Sequence, residues 1–162
     1  MPPVLHWIKA NTDGAAKGNP GLAGCGAVFR MHDESIKGCF FGNCGATSSL
    51  EAEMPGIIHV VSFSKMNGWN NIWLESDSIT LVQAIRNGEL HISWRLAAKW
   101  RECMKSLGSL NFIITHIYRE ANMVVDGLAN MGVGKPLTWL DSLHVVLLPH
   151  YEDDCNKYPW FC

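Results

Sequence analysis

The sequence predicts an α/β domain: a mixed five-stranded sheet, an antiparallel meander followed by parallel strands, flanked by helices. Three observations lead there. Residues 4–13, 22–31 and 36–43 read as strands joined by short turns containing Gly or Asp, and such turns can join only antiparallel neighbours. From residue 47 the apolar period switches from strand-like to helical. Two more strand-like runs, 70–77 and 111–118, are then separated by helical segments, which implies parallel neighbours.

Taken in order, the first strand ends at Asp13, and the chain turns through Gly14, Gly18, Pro20 and Gly21. "LAGCGAVFRM" and "IKGCFFGN" complete the meander. In "TSSLEAEMPGIIHVVSFSK", Met54, Ile57, Ile58 and Val61 make a helical stripe, and Ser48 with Glu51 has the spacing of a capping box. Pro55 opposes this helix, because an interior proline removes a hydrogen bond at a cost of about 3 kcal/mol. The helix is therefore expected to begin late or to kink. "NNIWLESD" reads as a buried strand, and "SITLVQAIRNG" as a helix capped by Ser78 with Leu81, Val82 and Ile85 inward. Residues 93–108 form a further helix stopped by Gly108, and "NFIITHIY" is a β-branched strand. The last helix, "NMVVDGLANMG", is capped by Asn122 and closed by Gly132, with Val124, Val125, Leu128 and Ala129 on its apolar face. The domain thus spans 1–132. Residues 133–162 read as a C-terminal tail, partly packed or flexible, with "LHVVLL" its best candidate for packing.

The 162 residues suit one domain with a real core, and 48% hydrophobic with 17% charged residues is globular composition. No apolar run reaches membrane length and the N-terminus lacks a signal-peptide pattern; an intracellular, membrane-free monomer is expected, nucleus and cytoplasm not being distinguished. The net charge of −2 announces no general affinity for nucleic acid, although it leaves room for a local basic patch. Six cysteines, at 25, 39, 44, 103, 155 and 162, include no Cys-x-x-Cys and no zinc spacing. They read as reduced thiols.

The acids carry the chemistry. If strands 5–13 and 71–77 are parallel neighbours, Asp13 and Asp77 lie side by side at strand carboxyl ends, where sites gather in α/β sheets. Glu53 falls in the first turns of one helix and Asp126 near the start of another. Singly, each has a plain structural reading: Asp13 as a turn residue, Asp77 as a cap, Glu53 and Asp126 as partners of helix dipoles. Together they would repel one another unless cations neutralised them. An all-oxygen set suits Mg²⁺ or Mn²⁺ and not zinc.

"NTDGAAKGNPGLAGCGAVFR", "LEAE", "LESDS" and "HIYREANMVVDGLA", in that order, resemble the type 1 ribonuclease H family. They are most similar to the plant ribonuclease H-like domain found at the end of non-LTR (LINE-type) retroelement polyproteins and in single-domain relatives. The resemblance covers about residues 5–132, and the tail "PLTWLDSL" is also similar to the ends of such reading frames.

The resemblance implies a ribonuclease H-like fold and an endonuclease that cleaves the RNA strand of RNA/DNA hybrids. It implies two Mg²⁺ ions, replaceable by Mn²⁺, and products with a 5′-phosphate and a 3′-hydroxyl. Asp13 would bridge both ions, with Glu53 and Asp77 completing one site and Asp126 the other. His116, ten residues before Asp126, matches the family's mobile histidine. Gly14 and Asn19, in the turn after the first acid, and the polar pair Ser48 and Ser49, match positions along the RNA strand. Two departures stand out. Pro55-Gly56 interrupts the usual helix after the glutamate, which could shift Glu53. The family's basic protrusion is reduced to Arg95, Lys99, Arg101 and Lys105. They leave a second reading open, a catalytically weak nucleic-acid-binding or interaction module on the same fold. A DEDD-type exonuclease or integrase-like enzyme is argued against by the glycine-rich first turn and the His116 to Asp126 spacing.

Overall fold

The computed structural model describes residues 1–88 and 92–143. Strands β1 (Ile8–Gly18), β2 (Gly21–Arg30) and β3 (Ile36–Thr47) form the antiparallel meander. Helix α1 (Ser49–Met66) leads to β4 (Asn71–Ser76), then α2 (Ile79–Asn87), α3 (Trp94–Leu107) and β5 (Asn111–His116). A 3-10 turn (Arg119–Ala121) precedes α4 (Met123–Gly132) and a last strand, β6 (Thr138–Leu140). The sheet order is β5-β4-β1-β2-β3-β6. Strands β1, β4 and β5 are parallel, as helical crossovers require, and the remaining pairs antiparallel.

Among the described residues the sheet therefore has six strands and not five. The sixth lies in the segment expected to be tail: Cys39 pairs with Leu140 and Phe41 with Thr138. Three residues are too few to show a period, so packing decides this element. Trp139 stands 4.9 Å from Phe63 and 5.5 Å from Phe29, ring centre to ring centre, and closes an aromatic cluster over β2 and β3. Leu143 is buried beside Val28 and Phe41. The rest of "LHVVLL", from residue 144, lies outside the described residues.

Strand β1 also corrects the expectation at Asp13. It does not end there but runs five residues further, through the glycines, to a turn at Asn19 and Pro20. The Gly and Pro signal marked the hairpin tip correctly; ladder bonds to β2 hold Gly14–Gly18 extended.

Helix α1 begins on time in spite of Pro55. Ser48 Oγ accepts the Glu51 N–H at 3.2 Å, one half of the capping box. The other half is absent, because the Glu51 carboxylate accepts from Thr47 Oγ1 and Ser93 N–H instead. The helix continues through Pro55 to Met66. Met54, Ile57 and Val61 are buried as expected, worth roughly 1.5–3 kcal/mol for each large apolar side chain, while Val60 takes the inward place expected of the half-buried Ile58. With α2 and α3, α1 covers one sheet face, its core running from Phe29 and Phe40 to Leu81, Trp100 and Ile114.

Helix α4 covers part of the opposite face with Val124, Val125 and Leu128. It lies very close to the sheet. A Cβ on Gly132 would come within 2.5 Å of the Gly42 carbonyl oxygen, and one on Gly24 within 2.3 Å of the Ala129 carbonyl oxygen. Hydrogen at both positions sets the depth at which α4 docks. Asn122 does not cap this helix with its side chain; it is wholly buried and its Nδ2 donates to the Thr12 carbonyl at 3.2 Å. It pins the start of α4 to β1 beside Asp13. No helix among the described residues is long and apolar enough to cross a membrane.

Candidate active site

Parallel pairing of β1 with β4 runs from Ile8 opposite Ile72 to Thr12 opposite Ser76. The residues that follow Thr12 and Ser76 are Asp13 and Asp77, so the ladder itself delivers the two acids together. Glu53 arrives from α1. Its approach depends on Gly14, where a Cβ would sit 2.4 Å from the Ala52 carbonyl carbon and 2.5 Å from the Glu53 nitrogen. Oxygens of Asp13, Glu53 and Asp77 all lie within 4.8 Å of one another. The doubt that Pro55 cast on Glu53 is thus removed: its carboxylate is in the cluster.

Asp126 is not part of that tight group. Its Oδ1 lies 3.6 Å from the Arg119 guanidinium, and its Oδ2 accepts from Asn130 Nδ2 at 3.3 Å. Its charge still reaches Asp13. Arg119, in the "YREAN" segment, was not singled out in the sequence. Its charge is drawn to Asp13 first and then to Asp126 and Asp77, which raises its own pKa. It is an exposed local counter-charge.

Two acid oxygens are left over. Asp13 Oδ1 accepts the Gly14 N–H at 2.7 Å, but Asp13 Oδ2 and Asp77 Oδ1 are buried without a hydrogen-bond partner. Glu53 Oε2 accepts from Ser76 Oγ at 3.3 Å. Burial first, then Asp77, pushes the Asp13 carboxyl up to about 8. Burial, then Asp77 and Asp13, pushes Glu53 up to about 8 as well. Burial raises Asp77 too. Orphaned carboxylate oxygens that repel one another are what a hard divalent cation satisfies, so the donor set fits Mg²⁺ or Mn²⁺.

His116 ends β5 opposite Ser76, exposed, its Nε2 3.2 Å from the Asp77 carbonyl oxygen and its ring edge-on to Tyr118. Asn19, at the hairpin tip, accepts the Ser49 N–H at 3.2 Å, which joins two of the expected substrate contacts. Ser48 is used in capping, and the Gly14 amide in holding Asp13. Arg95, Lys99, Arg101 and Lys105 are exposed along α3.

Metal-free, these carboxyls predict a pH dependence. Asp13 and Glu53 ordinarily titrate at 3.8 and 4.5, and in the fold at about 8. The folded state holds protons that the unfolded chain has lost, so their contribution is full below about pH 4 and is lost as pH rises towards 8. The melting temperature in EDTA is expected to be lower at pH 8 than at pH 5. Mn²⁺ is expected to raise it more at pH 8, because ligation needs the deprotonated carboxylates. Thermal denaturation at both pH values decides this; equal melting temperatures would contradict it.

A mixed sheet in this order, with acids clustered from within β1, from the carboxyl end of β4 and from α1, defines a ribonuclease H-like domain. The chain belongs to the reverse transcriptase-like family, whose model matches residues 11–132. It is 38% identical over 129 residues to the Arabidopsis thaliana protein named "Putative ribonuclease H protein At1g65750", a match covering 79% of this chain and 21% of that protein. The chain therefore spans about a fifth of that relative. It is 34% identical over 112 residues to ribonuclease H of Chlorobium chlorochromatii, covering 62% of this chain and 74% of that one. Among solved structures, RNase H1 of the archaeon Halobacterium salinarum superposes with a TM-score of 0.70 at 27% identity, over 78% of this chain and 96% of that one.

Proposed function

We propose that this chain is an endonuclease that cleaves the RNA strand of RNA/DNA hybrids with two Mg²⁺ ions, replaceable by Mn²⁺. The observation that carries the reading is the convergence of Asp13, Glu53 and Asp77 with two buried oxygens lacking partners. A structural neighbour of the same fold, LC11-RNase H1, has been solved in complex with an RNA/DNA hybrid. Asp13, Glu53, Asp77 and Asp126 are the residues to hold the ions, which when bound would supply an activated water and stabilise the leaving 3′-oxygen.

The chain's own groups do the rest. Asn19 and Ser49, already joined, present a polar edge to the RNA minor groove, where the 2′-hydroxyl separates RNA from DNA. Arg119 balances the acids before substrate arrives. His116, exposed beside Asp77 at the mouth of the site, takes the place of the family's mobile histidine.

The test is a labelled hybrid offered beside double-stranded RNA and double-stranded DNA, in Mg²⁺ and in Mn²⁺. Cleavage is expected only in the RNA strand of the hybrid, leaving 3′-hydroxyl ends, and EDTA is expected to abolish it. Hybrid binding without cleavage in either metal would overturn this reading in favour of a binding module.

A further inference from the structure

Cys25 and Cys44 belong to no part of the mechanism above, yet they are placed as a pair. Strands β2 and β3 pair Gly24 with Asn43 and then slip, so that Ala23 meets Gly45. Cys44 is the extra residue of that bulge, and a bulge re-aims its side chain. Both thiols face the core under α1. The register sets Cys25 opposite Gly42, two residues from Cys44, and the interaction between the neighbouring thiols raises the pKa of Cys25 and lowers that of Cys44. Cys44 Sγ also lies 3.7 Å from the Ala52 carbonyl oxygen, as its donor.

Their access differs. Cys25 is completely buried. Cys44 is half-buried and lines two adjoining grooves of about 440 and 450 Å³, one between α1 and α3 beside Pro55 and His59, the other reaching Trp94. One reachable sulfur backed by one buried sulfur is the arrangement in which oxidation of the first is resolved by the second.

We propose that Cys44 and Cys25 form a peroxide-sensitive disulfide that switches the acidic site off. The Cys44 thiolate attacks one oxygen of hydrogen peroxide. The O–O bond breaks, hydroxide leaves to be protonated to water, and a sulfenic acid remains. The Cys25 thiol then attacks that sulfur, expelling a second water and closing the S–S bond. Together two thiols lose two hydrogens and two electrons, and one peroxide becomes two waters. The bond draws the sulfurs to about 2.05 Å. Cys44 loses its S–H and moves towards Cys25, so the Ala52 carbonyl loses the thiol contact. Ala52 precedes Glu53 on the turn of α1 that Gly14 admits to the site. A displacement there of even ~1 Å can cost on the order of 10²-fold in rate.

The inhibitory consequence rests on the nuclease reading; the disulfide does not. The experiment treats the full chain with hydrogen peroxide, blocks free thiols, and maps peptides without reduction. A Cys25–Cys44 linked pair is expected, two hydrogens lighter, absent after dithiothreitol and absent in Cys44→Ser. In Cys25→Ser, Cys44 is expected to stop at the sulfenic acid, trapped by dimedone. Hybrid cleavage by the oxidised chain is expected to fall at least about tenfold and to return with dithiothreitol, while Cys44→Ser keeps its rate in peroxide. Both thiols still free, or a link formed with no change in rate, would overturn the proposal. Should the reduced chain cleave no hybrid, the nuclease reading fails and the peptide map still decides the disulfide.

Discussion

Asp13→Asn is expected to slow RNA-strand cleavage by on the order of 10³-fold while leaving a folded protein whose metal-free form melts at a higher temperature at pH 8. The two halves have one cause. Asp13 is 2% exposed, and its carboxyl is pushed up by burial and by Asp77 and Asp126. Asparagine has nearly the same shape and keeps an oxygen to accept the Gly14 N–H. It places an amide where Asp13 Oδ2 has no partner, and removes the buried charge that opposes folding at high pH. The same lost charge removes the carboxylate proposed above as the ligand shared by the ions. Metal stabilisation of transition-state charge is worth several kcal/mol, and ~1.4 kcal/mol is a factor of ten in rate. Single-turnover cleavage and thermal denaturation in EDTA measure the two halves. A rate within tenfold of the parent would sink the assignment of Asp13, whatever the melting temperature does.

The acids were legible because each lies near a boundary that the sequence marks: Asp13 before the hairpin glycines, although β1 runs on to Gly18, Asp77 just after β4, and Glu53 and Asp126 in the first turns of α1 and α4. Asp13 and Asp77 follow strand patterns whose separation by a helix implies parallel pairing, and that pairing places them as neighbours. Glu53 follows from the Ser48 cap, which sets where α1 begins. Its approach to Asp13 was not legible, because Gly14 looks like a turn glycine and acts through a packing contact with Ala52, 38 positions away. Pro55 misled for a related reason. Local propensity weighs the lost hydrogen bond, while the buried face from Met54 to Val61 holds the helix in spite of it. Strand β6 is three residues of edge pairing fixed by Trp139. Arg119 and Asn122 lie in a short segment without periodicity, and only the docked position of α4 gives them partners.

The least legible feature is the polar seam beneath the acids, and it carries the largest expected effect on stability. Lys9, Asn11, Arg30 and Glu75 are all buried in the sheet. Lys9 Nζ lies 3.0 Å from Glu75 Oε2 and 4.7 Å from the centre of the Trp73 ring. Asn11 Nδ2 donates to Glu75 Oε2 at 2.8 Å, and Arg30 Nη1 donates to Asn11 Oδ1 at 2.6 Å. Asn11 and Glu75 are ladder partners on β1 and β4, one rung before Thr12 and Ser76. Their bond therefore crosses the seam that aligns Asp13 with Asp77. In sequence, alternating Lys and Asn suggest a solvated strand face, and Glu75 stands 64 positions from Asn11. Glu75→Ala leaves the Lys9 ammonium, 2% exposed, without its carboxylate. Removing one partner of a buried ion pair costs about 3–5 kcal/mol, whereas replacing both by apolar residues of similar volume is often neutral. The single variant is thus expected to lose that much in urea denaturation, a large share of the ~5–15 kcal/mol typical of a domain. The double variant Lys9→Met with Glu75→Leu is expected to recover the part owed to the stranded Lys9 charge, while the loss of the Glu75 acceptor for Asn11 Nδ2 remains. If Glu75→Ala costs less than about 1 kcal/mol, the ordinary effect of a substitution, then the seam is incidental and the alignment of Asp13 with Asp77 comes from the backbone ladder alone.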